Sequence, residues 1–413
     1  MTNWAGNVTF APTRVVVPSD IDELCAVVGS AATADEHVNT VGTGHSFSAI
    51  ADTDGTLVST DHLRRIGPID DAAGSVTIES GVRFAELGDW LHHRGWALHN
   101  LPSLPHITVA GAAATATHGS GVGNGNIATS VVALDLVLAD GTLRHFGGGD
   151  SEFPGVVVAL GALGVVARLQ VRVRPAFDVA QSVWLDARLA AVLDRFDDVM
   201  SSAYSVSLFT DWQHDIIQQI WVKATVDDPP FDASGLGATA STSAVHPVGA
   251  DPAACTPQGG VSGPSHERLA HFRSGFVPSF GAELQTEYFV DRRDAAAAAL
   301  AIRSIADRLS PVILISEIRT VAADDLWLST AYARDSVACV RPRLRRVPLH
   351  VATRSAGGVG NSSSARGYSR AVRPSAPLGQ AHGDGPGADA RPLPAGGRVH
   401  RAAQCARPGW DLQ

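Results

Sequence analysis

The sequence predicts an α+β protein with a first domain over residues 1–178, a second over 179–337 and an atypical segment over 338–413. Three observations support this prediction. Short β-branched runs alternate with helical segments up to about residue 178, and a different order of helices and strand-like runs follows. A chain of 413 residues that is 45% hydrophobic and 18% charged is long enough for two or three domains.

Two helices are predicted in the first domain. Ser19 is expected to cap a helix that runs to about Gly29, and residues 83–94 carry apolar side chains three or four apart. A hairpin is predicted around Asp140-Gly141, a pair that suits a type I′ turn. Other strands are predicted at short β-rich runs: Arg14–Pro18, HVNTVG, TLVST, SVTIESG and GVVARLQVRVRP.

The second domain has a less regular pattern. Helices are predicted near 187–200 and over 292–309. Residues 226–265 are rich in Gly, Ala, Ser and Pro, and we expect a long surface excursion there. Strands are predicted at SVSLFTDW, IIQQIWVKATV, ELQTEYFV and VILISEIRTV.

The segment 338–413 differs from the rest in composition. It has no Ile, Phe, Met, Lys or Glu, and 50 of its 76 residues are Ala, Gly, Pro, Ser or Arg. It shows no sustained period, so we predict no helix or strand and expect disorder. It could be a basic tail for nucleic acid or anionic membrane, a bland disordered tail, or an out-of-frame translation of a GC-rich gene. We prefer the last interpretation, which other reading frames from the codon for Asp335 onward would test.

Charge and cysteine content limit the partners. The last 76 residues hold twelve Arg and three Asp, so the first 337 carry a net charge of −18 and nucleic acid is not an expected partner. The sequence has no apolar run long enough for a transmembrane helix and no secretory signal. Its four cysteines show neither metal-ligand spacing nor disulfide density. We therefore expect a cytoplasmic monomer without a metal site.

The first candidate motif is VGTGHSF, residues 41–47. Two glycines flank Thr43, and His45 follows directly. Glycines let the backbone approach an anionic ligand, and successive N–H groups there can cradle phosphate. The motif is not GxGxxG followed by a helix, so it does not indicate a Rossmann site. Spacing alone leaves a plain loop histidine open for His45.

The second candidate is LPSLPHITVAGAAATATHGSGVGNGN, residues 101–126. Two prolines bracket Ser103, and a run of Gly, Ala and Thr follows. Side chains this small indicate that something large lies against the backbone. It is either another backbone or a flat cofactor with a diphosphate, and the many N–H and hydroxyl donors favour the diphosphate.

The third candidate is VILISEIRTV. If it forms one strand, Ile313, Ile315, Glu317 and Arg319 share a face, with the two charged residues about 7 Å apart. Burying these charges is costly unless they pair or bind a polar group. A structural ion pair and a site for a polyhydroxylated substrate both remain open.

Here the motifs resemble a known family. VGTGHSF, followed some sixty residues later by LPSLPHITVAGAAATATHGSG, resembles the FAD-binding domain of the vanillyl-alcohol-oxidase (PCMH) type flavoproteins. HPVGADPAACTPQGGVSGPSHERLAHFRSGF and ELQTEYFV resemble the alditol (xylitol) oxidases in particular, which are relatives of the sugar-1,4-lactone oxidases. The resemblance runs from about residue 4 to residue 337.

The resemblance implies a fold and a cofactor. An FAD-binding domain of two subdomains would hold the ADP part, and a cap domain with an antiparallel sheet would cover the isoalloxazine. His45 matches the histidine that bonds covalently to the flavin, and Val165 would contact the adenine side. The other implied cofactor-binding residues are Val41, Gly42, Thr43, Gly44, Ser46, Phe47, Ser103, Thr108, Gly111, Thr115, Thr117, His118 and Gly119.

The resemblance also implies a reaction. A terminal CH–OH of an alditol such as xylitol or sorbitol would be oxidised to the aldose, and O₂ would be reduced to hydrogen peroxide. Ser103, Glu317 and Arg319 match positions that bind the polyol. A sugar-1,4-lactone oxidase and an inactive flavin-binding remnant are the alternatives.

One departure from the family concerns a late HWGK-like segment whose lysine approaches the flavin in the relatives. The only lysine in this chain is Lys223, in the cap, so no later residue takes that role. This departure supports the out-of-frame interpretation and predicts weak or no activity for the chain as written.

Overall fold

The computed structural model describes residues 1–276, 283–339 and 343–345, which lie in one compact unit. It confirms the α+β class. The elements of the first part of the chain are, in order, β1 (Arg14–Val16), α1 (Ile21–Thr33), β2 (Val38–Val41), β3 (Thr56–Ser59), β4 (Ile66–Asp70), β5 (Ser75–Glu79), α2 (Phe84–His92), β6 (Trp96–Ala97), α3 (Val109–Ala114), β7 (Val131–Val137), β8 (Leu143–Gly147), α4 (Phe153–Val156), β9 (Val165–Arg172) and β10 (Arg174–Pro175).

A second set of elements begins directly after β10. They are β11 (Asp178–Arg188), α5 (Leu189–Asp194), α6 (Phe196–Met200), β12 (Ser205–Thr210), β13 (Ile216–Ala224), β14 (Thr239–Ala240), β15 (Ser262–Pro264), β16 (Glu283–Gln285), β17 (Tyr288–Asp291), α7 (Ala295–Arg303), α8 (Ala306–Leu309), β18 (Ser316–Val321), β19 (Ser336–Cys339) and β20 (Arg343–Arg345). Strand β11 starts a new sheet, so the proposed domain boundary at residue 178 falls between two sheets.

The first part contains a two-stranded sheet of β6 and β10 and two larger sheets that meet across α1. A parallel sheet has the order β1-β3-β2, and an antiparallel sheet has the order β4-β5-β9-β7-β8. The apolar face of α1, with Leu24 and Val28, packs against Val58 of β3 and against Val137 and Val165 of the larger sheet. Helices α2 and α3 pack with the same larger sheet in a second apolar cluster. Burial of these faces fixes the two sheets relative to each other.

The second part is built on one antiparallel sheet with the order β14-β11-β13-β12-β18-β19-β17, and β15 also pairs with β11. One face of this sheet packs against α5, α6 and α7 through residues such as Leu208 and Ile318. The opposite face carries Trp221 and Phe209 together with charged residues of β13 and β18. Side chains alternate along a strand, so successive residues point in turn to the apolar core and to the polar face.

Several local predictions need correction. Helix α1 is capped by Asp20, whose side chain accepts from the Glu23 N–H, and not by Ser19; the helix continues to Thr33. The loop that joins β7 and β8 is longer than the predicted type I′ turn. It is closed by the hydrogen bond from Leu138 N–H to Thr142 C=O. Only the glycine of the Asp-Gly pair has a positive φ there, +82°.

The second domain also differs from its predicted pattern. The expected helix over 292–309 is a 3₁₀ turn followed by α7 and α8, and the helix near 187–200 is likewise split into α5 and α6. The excursion 226–265 contributes β14 and β15 to the sheet. Ile313 packs in the helix-side core instead of sharing the face of Glu317, since β18 begins only at Ser316. The strand predicted at VILISEIRTV is therefore too long at its N-terminal end.

The boundary at residue 337 is wrong by at least two residues. Strand β19 includes Ala338 and Cys339 and pairs with both β17 and β18, and β20 pairs with β16. The rest of the tail, residues 340–342 and 346–413, lies outside the described residues, so its out-of-frame origin stays a hypothesis. Within the described ranges, no helix has the length and hydropathy needed to cross a membrane.

We predict that a chain ending at Val337 is less stable than one ending at Arg345. The shorter chain loses the pairing of Ala338 and Cys339 with β17 and β18, and Ala338 is the direct neighbour of Arg319. Each net backbone hydrogen bond contributes about 0.5–1.5 kcal/mol. Urea unfolding of both chains measures the difference. Equal midpoints would contradict a structural role for residues 338–345, which also include β20 and its pairing with β16.

Candidate active site

A long groove runs between the parallel sheet and the larger sheet of the first domain. Its wider part, about 440 Å³, is lined by the loop after β2, by α3 and by the segment before it. Its narrower part, about 130 Å³, continues between α3 and residues of β7 and β9. Both parts share Gly42, Thr108, Gly111 and Thr115, so they form one continuous channel.

The loop that follows β2 is held by the N-terminal segment. Trp4 N–H donates to Gly44 C=O at 2.8 Å, and the Asn3 side chain donates to Ser46 C=O at 2.8 Å. Asn7 donates to Phe47 C=O at 2.9 Å. Gly44 has a φ of +69°, a conformation that residues with a side chain rarely adopt. The VGTGHSF motif is therefore a braced loop whose seven residues all line the groove.

His45 lies between two other rings. The Trp4 ring stacks on it with centroids 4.6 Å apart, and its Nε2 lies 2.6 Å from Nε2 of His106. Burial, aided by repulsion from His106, lowers the pKa of His45 to about 3. The imidazole is therefore neutral at ordinary pH and keeps one nitrogen lone pair, the form needed for a nucleophile.

The wall of the groove fits a flat, diphosphate-containing ligand. A methyl group on Gly42 would lie 2.5 Å from the Thr108 hydroxyl, and one on Gly111 would lie 2.8 Å from the same atom. Glycine at both positions lets the backbone pack closely against Thr108 in the wall of the groove. The hydroxyl of Ser80 also lines the channel and is buried with no hydrogen-bond partner among the described residues.

A buried charged cluster lies on the polar face of the second-domain sheet. The Arg319 guanidinium makes two hydrogen bonds to the Glu317 carboxylate, through Nε and, at 2.7 Å, through Nη2. It also donates to the hydroxyl of Ser103. His271 Nε2 lies 2.7 Å from Glu317 Oε1, and the side chains of Glu317 and Arg319 are 7% and 2% exposed. The cluster is thus a compact array of donors and acceptors shielded from solvent.

Ser103 connects the groove to this cluster. It lines the wide part of the groove, and it also lines a small adjoining cavity together with Glu317, His271, Phe209 and Phe272. A ligand in the groove and a small polar molecule beside Glu317 would therefore meet at Ser103. The tertiary structure brings together three segments that are far apart in the chain.

Most of the predicted cofactor residues line the groove. These are residues 41–47 with Ser103, Thr108, Gly111, Thr115 and Thr117. His118 and Gly119 do not line it: the buried His118 ring contacts Gly119 C=O at 2.7 Å and Glu287 Oε1 at 3.2 Å. The Val165 side chain packs in the core against α1, and its neighbour Val166 lines the channel. The predicted side-chain contact of Val165 is thus not supported by its position.

Sequence reasoning missed five residues that shape the site. Trp4 and His106 hold His45, Ser80 presents an unsatisfied hydroxyl, and His271 and Lys223 lie behind Glu317. His106 lies inside LPSLPHITV and His271 inside HPVGADPAACTPQGGVSGPSHERLAHFRSGF, but the sequence assigned a role to neither. The others carry no local signal, because each reaches the site through long-range packing.

Comparison with known proteins agrees with this geometry. The FAD binding domain family matches residues 12–147. The chain is 45% identical over 343 residues to alditol oxidase from Streptomyces sp. (strain IKD472), covering 82% of this chain and 80% of that protein. It is 30% identical over 354 residues to L-gulono-1,4-lactone dehydrogenase from Mycobacterium tuberculosis, covering 81% of each. Cholesterol oxidase from B. sterolicum shares the fold, with a TM-score of 0.65 at 14% identity over 83% of this chain and 79% of that one.

The fold, the braced loop and the channel with its open backbone define an FAD-dependent oxidoreductase of the vanillyl-alcohol-oxidase type. The similarity over four-fifths of the chain is more specific. The chain belongs to the alditol oxidase family.

We predict that Gly42→Ala weakens FAD binding. The added methyl would press on the Thr108 hydroxyl, which accepts from Gly111 N–H at the start of α3. Overpacking costs about 1–3 kcal/mol, which is roughly a 5- to 150-fold loss in affinity. Flavin content of the purified protein measures the effect. Gly149→Ala, whose added Cβ meets nothing within 4 Å, is the control and should retain its flavin.

Proposed function

We propose that the protein oxidises the terminal CH–OH of alditols such as xylitol to the aldose, with O₂ as electron acceptor. The observation that carries this proposal is the buried array of Ser103, Glu317 and Arg319 at the inner end of the groove. Ser103 and Glu317 line one small cavity, and the Arg319 guanidinium is hydrogen-bonded to both of them. Vicinal hydroxyls, which are both donors and acceptors, match such a mixed set.

The protein residues bind and orient the substrate. Glu317 can accept from one hydroxyl, Arg319 can donate to the next, and Ser103 can do either at the junction with the groove. When bound, the flavin accepts the hydride from the carbon that carries the hydroxyl and passes the electrons to O₂. Holding a flexible polyol in one orientation lowers the entropic part of the barrier. Aromatic walls, Phe209 and Phe272, exclude water from the cavity.

The alternative lactone activity is less well supported. The relative named for a lactone is 30% identical, against 45% for the relative named for alditols. The remaining alternative, an inactive flavin-binding remnant, predicts bound flavin without polyol-dependent reduction. A monomeric state and a cytoplasmic location stay predictions.

We also propose that the flavin is covalently attached at His45. The imidazole lines the groove, is neutral, and is fixed in orientation by Trp4 and His106. Attachment would replace one C–H bond of the flavin 8α-methyl group and the imidazole N–H by a C–N bond. The two electrons and two protons would remain on the flavin, which O₂ would then reoxidise, and a fixed neutral imidazole is a suitable nucleophile for this step.

On this basis, flavin should remain with the polypeptide after acid precipitation. His45→Ala should release all of its flavin into the supernatant, whereas His37→Ala, which changes an exposed histidine, should not. Absorbance of the washed pellet measures the attached fraction. Full release from the unsubstituted protein, or retention in His45→Ala, would refute attachment at this residue.

For the substrate array, Glu317→Gln and Arg319→Ala should each slow flavin reduction by xylitol. Losing a hydrogen bond to a charged group costs about 1.5–3 kcal/mol, which corresponds to a roughly 10- to 150-fold slower rate. Anaerobic stopped-flow absorbance detects this reduction even when overall turnover is weak. Rates close to that of the unsubstituted protein would leave the pair with a structural role only, and an absence of reduction in the unsubstituted protein would indicate the inactive remnant.

A further inference from the structure

Lys223, the only lysine of the chain, is buried directly behind the substrate array. It lies on β13, between Gln181 of β11 and Ser205 of β12, and it is 1% exposed. Burying an ammonium group in a sheet is costly unless each of its protons has an acceptor. The surroundings of its Nζ atom therefore indicate what it does.

The Nζ atom has three acceptors, which equals the number of its protons. It donates to Leu269 C=O, to Ala270 C=O at 3.0 Å and to His271 Nδ1 at 3.0 Å. Burial lowers the pKa of Lys223 well below its ordinary value, but three acceptors around Nζ match the three protons of the ammonium form. An ammonium group is donor only, so in this form Nδ1 of His271 carries the lone pair. The two carbonyls hold the ammonium group in place, and the third proton fixes the tautomer of the ring.

The tautomer of His271 determines which group faces Glu317. With Nδ1 as acceptor, the proton of the neutral His271 ring lies on Nε2, which is 2.7 Å from Glu317 Oε1. Nη2 of Arg319, which can only donate, lies farther from this nitrogen, at 3.1 Å, so the Nε2 proton is directed at the carboxylate. The ring is held in place by Trp221 and Phe209, with centroids 5.1 and 5.7 Å away. Burial, with the charge of Lys223 next, lowers the pKa of His271 to about 3, which keeps the ring neutral.

We propose that Lys223 and His271 are positioning residues that hold Glu317 as an ionised, oriented acceptor for a substrate hydroxyl. The chain of contacts runs from Lys223 through His271 to Glu317, and Arg319 holds the carboxylate from its other side. Lys223 acts through His271 without lining the small cavity that His271 and Glu317 line. This inference rests on the proposed function, because it assigns Glu317 to a polyol.

The tautomer can be measured without turnover. In protein labelled with ¹⁵N-histidine, the His271 signals, assigned by their loss in His271→Gln, should show a bare Nδ1 and a protonated Nε2. In Lys223→Met this preference should be lost. Finding the proton on Nδ1 in the unsubstituted protein would overturn the proposal, because Lys223 would then be the acceptor and Glu317 would face a bare nitrogen.

A double-substitution cycle tests the link to the substrate. Lys223→Met should raise the xylitol concentration for half-maximal flavin reduction at least tenfold, with a smaller change in the limiting rate, since substrate binding is affected in ground and transition states alike. In the His271→Gln protein, the glutamine amide can donate to Glu317 without help from Lys223. Adding Lys223→Met to that protein should therefore change the xylitol concentration for half-maximal reduction less than threefold. The same penalty in both backgrounds would overturn the proposal.

A matched control separates positioning from general damage to the strand. Val222→Ala alters the neighbouring residue of β13, which is buried in the helix-side core. It should lower the melting temperature yet leave the His271 tautomer and the xylitol dependence unchanged. If Val222→Ala changes the His271 tautomer and the xylitol dependence as Lys223→Met does, the effect is structural and the proposal fails. If the unsubstituted protein is not reduced by xylitol, the proposed function fails, and the tautomer measurement still decides the arrangement of Lys223 and His271.

Discussion

Placing a carboxylate and a guanidinium side by side inside a protein costs free energy unless nearly every donor and acceptor has a partner. The structure meets this condition for Glu317 and Arg319 by drawing partners from separate parts of the chain. Ser103 and the His118 carbonyl come from the first domain, and His271 comes from a loop of the second. The ion pair therefore lies where residues from these separate parts of the chain meet, beside the small cavity that Ser103 and Glu317 line.

The same contacts explain why the small-residue segment matters beyond the groove. Residues near Ser120 dock on the second-domain sheet: Gly121 N–H donates to Thr320 C=O at 3.1 Å, and the Ser120 hydroxyl donates to Val206 C=O. A methyl group on Gly121 would lie 2.5 Å from Tyr204 C=O. The earlier part of the segment thus lines the channel, and its later part packs against β12 and β18. Another backbone therefore explains the small side chains of the later part, and a cofactor stays the prediction for the earlier part.

The histidines show how burial assigns chemical roles. His45 and His271 both have pKa values lowered to about 3 by burial, and both rings are held by aromatic neighbours. Each ring is therefore neutral, and its partners decide which ring nitrogen donates a hydrogen bond and which accepts one. His45 faces the groove, where a lone pair can act on a ligand, while His271 faces Glu317, where an N–H is needed. The difference lies in the partner of each ring: His106 for one and Lys223 for the other.

The sequence by itself determined the α+β class, most strands and the two cofactor motifs, because hydrophobic period and glycine content are local properties. It also brought Glu317 and Arg319 to one face, since two residues separated by one position on a strand share a face. Helix ends, the break at residues 304–305 and the true start of β18 were decided by packing, which overrides local propensity. Only the tertiary structure placed Trp4, Ser80, Lys223 and His271, because their contacts join segments with no fixed spacing in the chain.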